Sequence, residues 1–311
     1  MLQIQVQLAF CATAAALLLP GCSVKRFAVN KVGDALASGG SSYESDEDVD
    51  LVGGALPFSL KLVESLLAES PKHRGLLLTA ASGFAQYGYA YVEDAADDAA
   101  AESVDRATAI RARARRLYMR GYRYGMRAFD TSYPGFGAAF EHDPGAALAR
   151  VRKRDVPLLY WTAAAHGLAI SASKNDPEML AQLPEVDAMA RRATELDETW
   201  NDGALPELLI SIEAARSGVK QSEVQENMRR HYDRSLALSK GQRASVFVTY
   251  AEKAAVPVQD AAMFRSLLEK ALAIDPYARP EGRLANLIAQ RRARRLLART
   301  DEIFLEAGTT K

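Results

Sequence analysis

One segment constrains the fold more than any other, because its small and apolar residues recur three and four positions apart between about residues 98 and 129. The series runs through Ala107, Ile110, Ala114, Leu117, Gly121, Tyr124 and Ala128. That spacing places all of them on one face of an α-helix. Eight arginines occupy other positions of the same segment. The sequence therefore predicts a long helix with one continuous buried face and one charged face.

The rest of the chain has the same character. Ala, Leu, Arg and Glu are abundant and β-branched residues are few, a composition that favours an all-α fold. Prolines at 57, 157, 184 and 206 stand where apolar periodic segments begin, as expected for the first turn of a helix. The segment 158–170 has almost no polar face and is predicted to be central. His166 within it is predicted to be a hydrogen-bonded core histidine rather than a metal ligand.

Three phrases in the second half occupy equivalent places, each closing a predicted helix. They are Ala193–Asp197, Ser235–Ser239 and Ala271–Pro276. Their starts lie 42 residues apart (235 − 193) and 36 residues apart (271 − 235). Tetratricopeptide repeats have a period of about 34 residues and two helices per unit. The sequence thus predicts tetratricopeptide-like helix-turn-helix pairs packed as a compact α-solenoid, in which neighbouring pairs bury each other's apolar faces.

The N-terminal region predicts export. The apolar run from Leu8 to Leu19 is too short for the roughly 20 residues that span a bilayer, but it suits the apolar core of a signal peptide. Cys22 follows the small residue Gly21 and is the predicted lipidation site. We expect a signal peptide over 1–21, a lipidated N-terminus with a flexible acidic tether over 22–50, and a helical domain over 51–311. A buried N-terminal helix is the alternative interpretation of the apolar run.

Charge and motifs exclude several function classes. The chain has 39 basic and 39 acidic residues, without the basic excess that a nucleic-acid partner requires. Its four histidines do not have the spacing of metal ligands, and no nucleophile elbow or phosphate-binding loop is present. The sequence predicts no catalytic residues, no metal and no cofactor, so the protein is expected not to be an enzyme. An envelope enzyme that uses scattered carboxylates is the weakest alternative.

Arginines and aromatic residues are the remaining candidates for a binding site. Salt bridges to neighbouring helices are the preferred interpretation of the arginines at 106–127, with recognition of a carboxylate as the alternative. A second arginine cluster at 291–299 is predicted only to solvate the last helix. Aromatic residues at helical spacing form either a core or the wall of a cavity. The candidate ligand- or partner-binding residues are Tyr87, Tyr91, Arg120, Tyr124, Tyr160 and Trp161.

Several phrases resemble the TatT family, the T component of tetratricopeptide-associated TRAP transporters. The matching phrases are 48–52 (DVDLV), 55–67 (ALPFSLKLVESLL), 71–73 (PKH), 84–87 (FAQY), 114–118 (ARRLY) and 157–161 (PLLYW). The resemblance extends over about residues 22–305.

This resemblance implies a periplasmic lipoprotein that works with the solute-binding protein of a TRAP transporter, an importer of organic acids and other ligands. Anchoring in the bilayer through acylated Cys22 is expected, and Ser23 favours the outer membrane. The resemblance implies no enzymatic activity, and homo-oligomerisation is left open. A general tetratricopeptide scaffold lipoprotein that docks envelope proteins is the alternative function.

The lipid anchor can be tested directly. Replacing Cys22→Ala removes the thiol that would carry diacylglycerol. We expect an unprocessed precursor that incorporates no labelled palmitate, whereas Cys11→Ala should be processed and labelled normally, because Cys11 lies inside the predicted leader. Labelling that persists in the Cys22→Ala chain would contradict the assignment.

Overall fold

Helices account for 82% of the residues that the computed structural model describes, and none of these residues lies in a strand. The described residues are 21–38, 40–100, 102–173 and 175–304. The all-α class predicted from the sequence is therefore confirmed. The tetratricopeptide-like pairing within a solenoid stays a prediction. The predicted leader lies outside the described residues except for Gly21, and the side chain of Cys22 is not described.

The first half of the chain forms nine helices in the described residues. Their bounds are α1 Gly21–Ser38, α2 Gly40–Glu44, α3 Val49–Glu69, α4 Arg74–Tyr87, α5 Asp94–Ala100, α6 Val104–Ser132, α7 Phe136–His142, α8 Pro144–Ala149 and α9 Val156–Ser171. A π-helical segment, π1, covers Gly88–Glu93 between α4 and α5. A short 3-10 turn, Lys153–Asp155, precedes α9.

The second half adds eight helices to the described fold. Their bounds are α10 Pro177–Leu180, α11 Leu183–Asp197, α12 Ala204–Ala214, α13 Gln221–Ser239, α14 Ala244–Tyr250, α15 Ala261–Leu272, α16 Arg283–Ala298 and α17 Thr300–Ile303. A second π-helical segment, π2, covers Ala251–Ala255 after α14. Two 3-10 turns, Trp200–Gly203 and Pro280–Gly282, precede α12 and α16.

The predicted long helix is α6, which begins later and ends later than the sequence indicated. Ser103 is its N-cap, and the Ser103 side chain accepts a hydrogen bond from the backbone N–H of Arg106. The predicted apolar face is turned inward, with Ala107, Ala114 and Ala128 at most 1% exposed. This helix packs between α4 and α9, and α9 also contacts α4 directly. The three helices form the centre of the first half.

Two hydrophobic cores fill the molecule. The first contains buried residues from Leu60 to Ile212 and includes the central helix α9. The second contains buried residues from Ile210 to Phe304. Helix α12 joins them, because Leu209 belongs to the first core and Ile210 to the second. The fold therefore has two halves, one around each core, that share α12. Helices α10 and α11 belong to the first of these halves, because Met179 and Met189 lie in the first core.

The segment 22–50 was expected to be a flexible tether, and here the structure differs. Most of it is helical, and α1 packs against α3 and α4. Ser70 Oγ donates a hydrogen bond to Asn30 Oδ1 at 2.6 Å, and His73 Nε2 lies 3.2 Å from an Asp34 carboxylate oxygen. The glycine- and serine-rich run indicates a flexible segment from local composition alone. The tertiary contacts of Asn30 and Asp34 stabilise the helix instead. The domain boundaries themselves stay a prediction.

Among the described residues, one helix, α3, is long and apolar enough to cross a membrane. Core helices of soluble proteins share that property. Val52, Leu60, Val63 and Leu67 on one face of α3 are buried against the fold. Its opposite face leaves Phe58 exposed.

His166 is the hydrogen-bonded core histidine that the sequence predicts. Its side chain is fully buried, its Nε2 lies 2.8 Å from Gln182 Oε1, and its ring stacks on Tyr122 with centroids 4.1 Å apart. Burial lowers the pKa of His166, an effect that the hydrogen bond to Gln182 partly opposes. The neutral imidazole is therefore the stable form in the folded chain.

The contact between α6 and α9 gives a first prediction for stability. A Cβ atom at Gly125 would overlap the side chain of Thr162, which is fully buried and donates its hydroxyl hydrogen to Leu158 O. We expect Gly125→Ala to lower the free energy of unfolding by about 1–3 kcal/mol, measured by urea denaturation.

Gly54→Ala is the matched control, because a Cβ atom at Gly54 in α3 meets no atom within 4 Å. It should leave stability unchanged or raise it by up to about 1 kcal/mol through helix propensity. Equal effects of the two substitutions would contradict the close contact between α6 and α9.

The buried histidine gives a prediction for pH dependence. An unfolded histidine has a pKa near 6.5, and the folded value for His166 is lower. The stabilising contribution of neutral His166 is therefore complete above about pH 6.5 and is lost as the pH falls towards the folded pKa. His231, whose pKa burial also lowers, acts in the same direction.

We expect the free energy of unfolding to fall between about pH 7.5 and about pH 5, and to fall less in the His166→Gln variant. Urea denaturation at the two pH values measures both. His142→Gln serves as the control, because His142 is exposed. A His166→Gln chain with the same pH dependence as the unaltered chain would speak against the argument.

Candidate functional site

A cluster of charged and aromatic side chains lies where the two cores meet. We call it the central polar cluster, and it consists of Tyr89, Tyr160, Glu207, Arg243, Glu252 and Arg292. Its members come from π1, α9, α12, the residue before α14, π2 and α16. Both halves of the molecule therefore contribute to it.

Arg292 is the link between the halves within this cluster. Its guanidinium binds the Glu252 carboxylate through two hydrogen bonds, Nη2 to Oε1 at 2.8 Å and Nε to Oε2 at 3.1 Å. The same guanidinium lies 5.2 Å from the ring centroid of Tyr89. Bidentate pairing and ring contact together are the geometry for which arginine is suited. Tyr89 of the first half is thereby held against Glu252 of the second.

The second ion pair of the cluster joins Glu207 of α12 to Arg243, the residue before α14. Arg243 Nε donates to Glu207 Oε2 at 2.6 Å. Glu207 also accepts hydrogen bonds from Ser245 Oγ at 2.9 Å and Thr249 Oγ1 at 3.2 Å. The carboxylate is thus satisfied on both oxygens, and it connects α12 to α14.

The cluster is shielded but not closed to solvent. The side chains of Glu207 and Arg292 are each 13% exposed, and those of Arg243 and Glu252 are 19% and 21% exposed. Burial would raise the pKa of Glu252, but Arg292 outweighs this effect and lowers it. Burial raises the pKa of the Tyr160 hydroxyl to about 12, with Arg243 acting in the opposite direction. At neutral pH the cluster therefore holds a charged Glu252, a charged Arg292 and a neutral Tyr160.

Two π-helical segments position the cluster. Tyr89 lies in π1 and Glu252 in π2. The wide turn of a π-helix is rare and often occurs at functional sites. Gly88 at the start of π1 lets the ring of Tyr118 approach the backbone, where a Cβ atom would overlap it. The Tyr118 hydroxyl then donates to Glu93 Oε2 at 2.5 Å, which fixes π1 on α6.

Tyr160 brings aromatic surface to the cluster. Its ring meets Trp161 edge-on with centroids 4.9 Å apart, and it contacts Trp200 at 4.8 Å. Trp161, one of the candidate binding residues, is partly exposed although it lies in the central helix. The Tyr160 hydroxyl has no hydrogen-bond partner among the described side chains and backbone groups. An apolar wall with a free hydroxyl is the composition expected of a ligand-binding surface.

The other predicted site residues lie elsewhere. Tyr124 donates its hydroxyl hydrogen to Glu64 Oε1 at 2.8 Å, and Arg120 pairs with the same carboxylate. Tyr87 stacks on Tyr91 at 5.8 Å, and the Tyr91 hydroxyl donates to a backbone oxygen of α3. The predicted six therefore fall into three places, and Tyr160 alone of the six is a member of the central polar cluster.

Three arginines on α6, Arg111, Arg115 and Arg120, form ion pairs with other segments, as the preferred interpretation predicts. Arg111 pairs with Asp97 at 3.0 Å, and Arg115 pairs with Asp176 at 2.8 Å. Arg113 instead donates to the Tyr87 hydroxyl, and Arg127 donates to the backbone oxygen of Pro71.

The prediction for the arginines at 291–299 is wrong for four of the five, since Arg291 pairs with Asp50 and Arg299 with Glu302. Arg292 and Arg295 are 13% and 15% exposed and take part in ion pairs instead of only solvating α16. Helical spacing does not reveal which charged residues face another part of the fold.

No group of three or more histidine, cysteine, aspartate or glutamate side chains within the described ranges is arranged to hold a metal ion. A small cavity of about 170 Å³ lies beside Arg74 and the buried carboxylate of Asp155. That carboxylate already binds Arg74 Nη2 at 2.6 Å and the Tyr133 hydroxyl at 2.5 Å. Asp155 is thus explained as a structural group.

Comparison with known proteins identifies the family. Residues 45–304 match the family model described as TRAP transporter T-component. The chain is also 28% identical over 318 aligned positions to an uncharacterized protein of Treponema pallidum (strain Nichols), and the alignment covers 95% of this chain and 97% of that protein. The matched range of the family model contains every residue of both hydrophobic cores and of the central polar cluster. This chain therefore belongs to the TAtT family, the T-components of TRAP transporters.

Proposed function

We propose that this chain is a non-enzymatic lipoprotein of the periplasm that binds the solute-binding subunit of a TRAP-type uptake system and contacts its ligand. The family match over residues 45–304 carries this proposal and supports an accessory role in a transporter. An envelope location follows from that role. Attachment to the outer membrane through acylated Cys22 belongs to the same proposal.

The central polar cluster is the part of the structure that best suits contact with a ligand. It offers two arginines, the free hydroxyl of Tyr160 and the neighbouring indole rings of Trp161 and Trp200. Arginine donors suit carboxylates, and aromatic rings suit apolar carbon. A ligand with a polar group and an apolar body would match both.

Binding of the partner is tested with the two purified proteins. A TRAP solute-binding protein from the same organism is titrated into this chain in a calorimeter, once as isolated and once after refolding from denaturant to remove bound ligand. Because the net charge of the chain is zero, long-range attraction is weak, and binding should survive moderate salt. We expect association at micromolar concentrations. No heat at about tens of micromolar, with or without ligand, would favour the general scaffold lipoprotein instead.

Two matched substitutions locate the ligand contact. Tyr160→Phe removes a hydroxyl without a partner in the described structure, so it should leave stability unchanged and weaken retention of the ligand that accompanies the solute-binding protein. Tyr124→Phe removes a hydroxyl bonded to Glu64, so it should cost about 1 kcal/mol of stability and leave ligand retention unchanged. Mass spectrometry of the bound ligand and urea denaturation measure the two effects. Equal ligand retention in both variants would place the ligand outside the central polar cluster.

A further inference from the structure

Helix α16 returns to the beginning of the fold and closes it. Arg291 Nη1 lies 2.6 Å from Asp50 Oδ1, and Arg283 Nη1 donates to the backbone oxygen of Ser45 at 2.9 Å. Arg295 pairs with Asp94 at the start of α5. We call this contact between α16 and the segments α2, α3 and α5 the closing seam. It joins residues that lie 201 to 241 positions apart in the chain.

The closing seam is held by charged and polar groups rather than by a shared hydrophobic core. The buried apolar residues of α16, Ala289 and Ala293, belong to the second core. In the described ranges, the second core contains no residue before Ile210 and the first contains none after Ile212. Apolar packing therefore connects the two halves at α12, and ion pairs connect them at the closing seam.

Pairing at the closing seam is incomplete. The Nη1 atom of Arg292 is buried and has no hydrogen-bond partner in the described structure, and it lies 3.8 Å from Asp94 and 4.0 Å from Asp97. Charged groups buried with imperfect pairing recover hydration when they are exposed, which offsets the Coulomb energy that they lose. The outer edge of the seam is already open, since a groove of about 590 Å³ runs between Asp50 of α3 and Arg294 of α16.

We propose that the closing seam opens and closes as a unit about α12, and that opening gives access to the central polar cluster. Arg292 belongs to both structures, since it binds Glu252 and covers the ring of Tyr89. Separation of α16 from the first half moves Tyr89 away from Glu252 and Arg292. The same motion that breaks the seam therefore uncovers the cluster. This inference concerns the fold itself and does not depend on the proposed partner.

The motion is measured by the distance between two spin labels. Glu47→Cys and Arg294→Cys place labels on opposite walls of the groove, at exposed positions. The full chain, kept in detergent, carries Cys11→Ser and Cys22→Ser so that no other thiol reacts. At about 1 M salt the Debye length is about 3 Å, which screens the exposed pair of Arg291 with Asp50 most and the mostly buried pairs of Arg292 and Arg295 with Asp94 less. We expect a longer distance to appear there at the expense of the short one seen at about 0.05 M salt.

A second label pair, Glu69→Cys with Arg123→Cys, lies within the first half and should not respond to salt. Charge reversal gives an independent test at an exposed ion pair. At low salt, Arg291→Glu should increase several-fold the fraction of molecules that show the longer label distance. Adding Asp50→Arg to the same chain should restore the fraction at the short distance. Distances that change with neither salt nor Arg291→Glu would overturn the proposal. Circular dichroism shows whether each variant is folded. If a charge-reversal variant does not fold, the salt series on the chain without charge reversal tests the proposal.

Access to the central polar cluster is read from tryptophan fluorescence. The chain has two tryptophans, and both contact Tyr160. Quenching by acrylamide should rise several-fold in the conditions and variants that lengthen the label distance. Quenching that stays constant while the seam opens would show that opening does not uncover the cluster, and would overturn that part of the proposal. No partner or ligand is present in these experiments, so their outcome is separate from that of the binding test.

Discussion

The close contact of α6 with α4 and α9 is the constraint on which the rest of the structure depends. Cβ atoms at Gly121 and Gly125 would overlap the Ala81 carbonyl oxygen and the Thr162 side chain, so these glycines allow the three helices to touch. That contact buries Tyr118, which in turn holds π1 through Glu93. Because π1 carries Tyr89, the packing of one long helix fixes the first-half side of the central polar cluster.

Charge has a different role in each part of the molecule. On α6, arginines at the surface bind neighbouring helices through single, partly exposed ion pairs of the kind that contribute little each. At the junction of the halves, Arg243 and Arg292 are mostly buried and pair with Glu207 and Glu252. Removing one partner of a buried pair leaves an uncompensated charge. Substitution of a single residue in these pairs therefore costs more stability than substitution in a surface pair. The balance of basic and acidic residues is therefore local as well as global.

The sequence predicted the helices because helical periodicity is a local property. The stripe through Ala107, Ala114 and Ala128 needs no knowledge of the fold, and His166 was assigned correctly from the apolar helix around it. The central polar cluster could not be predicted in this way. Glu207 and Arg243 lie 36 positions apart, and Glu252 and Arg292 lie 40 positions apart. Neither spacing forms a motif, and only tertiary packing brings the four together. The phrases that resemble the family led to the correct family, but they did not locate the central polar cluster.

With Cys22 acylated as proposed, the helical form of α1 would limit how far the domain can move from the membrane. A fully extended segment of 29 residues, 22–50, would reach about 100 Å. As a helix of 18 residues, α1 is about 27 Å long, and its contacts with Ser70 and His73 fix its direction relative to the domain. An acyl chain on Cys22 would then attach the domain through a short rigid helix rather than through a long flexible linker. A protein attached in this way samples a thin layer next to the bilayer, and a soluble partner must diffuse to that layer to meet it.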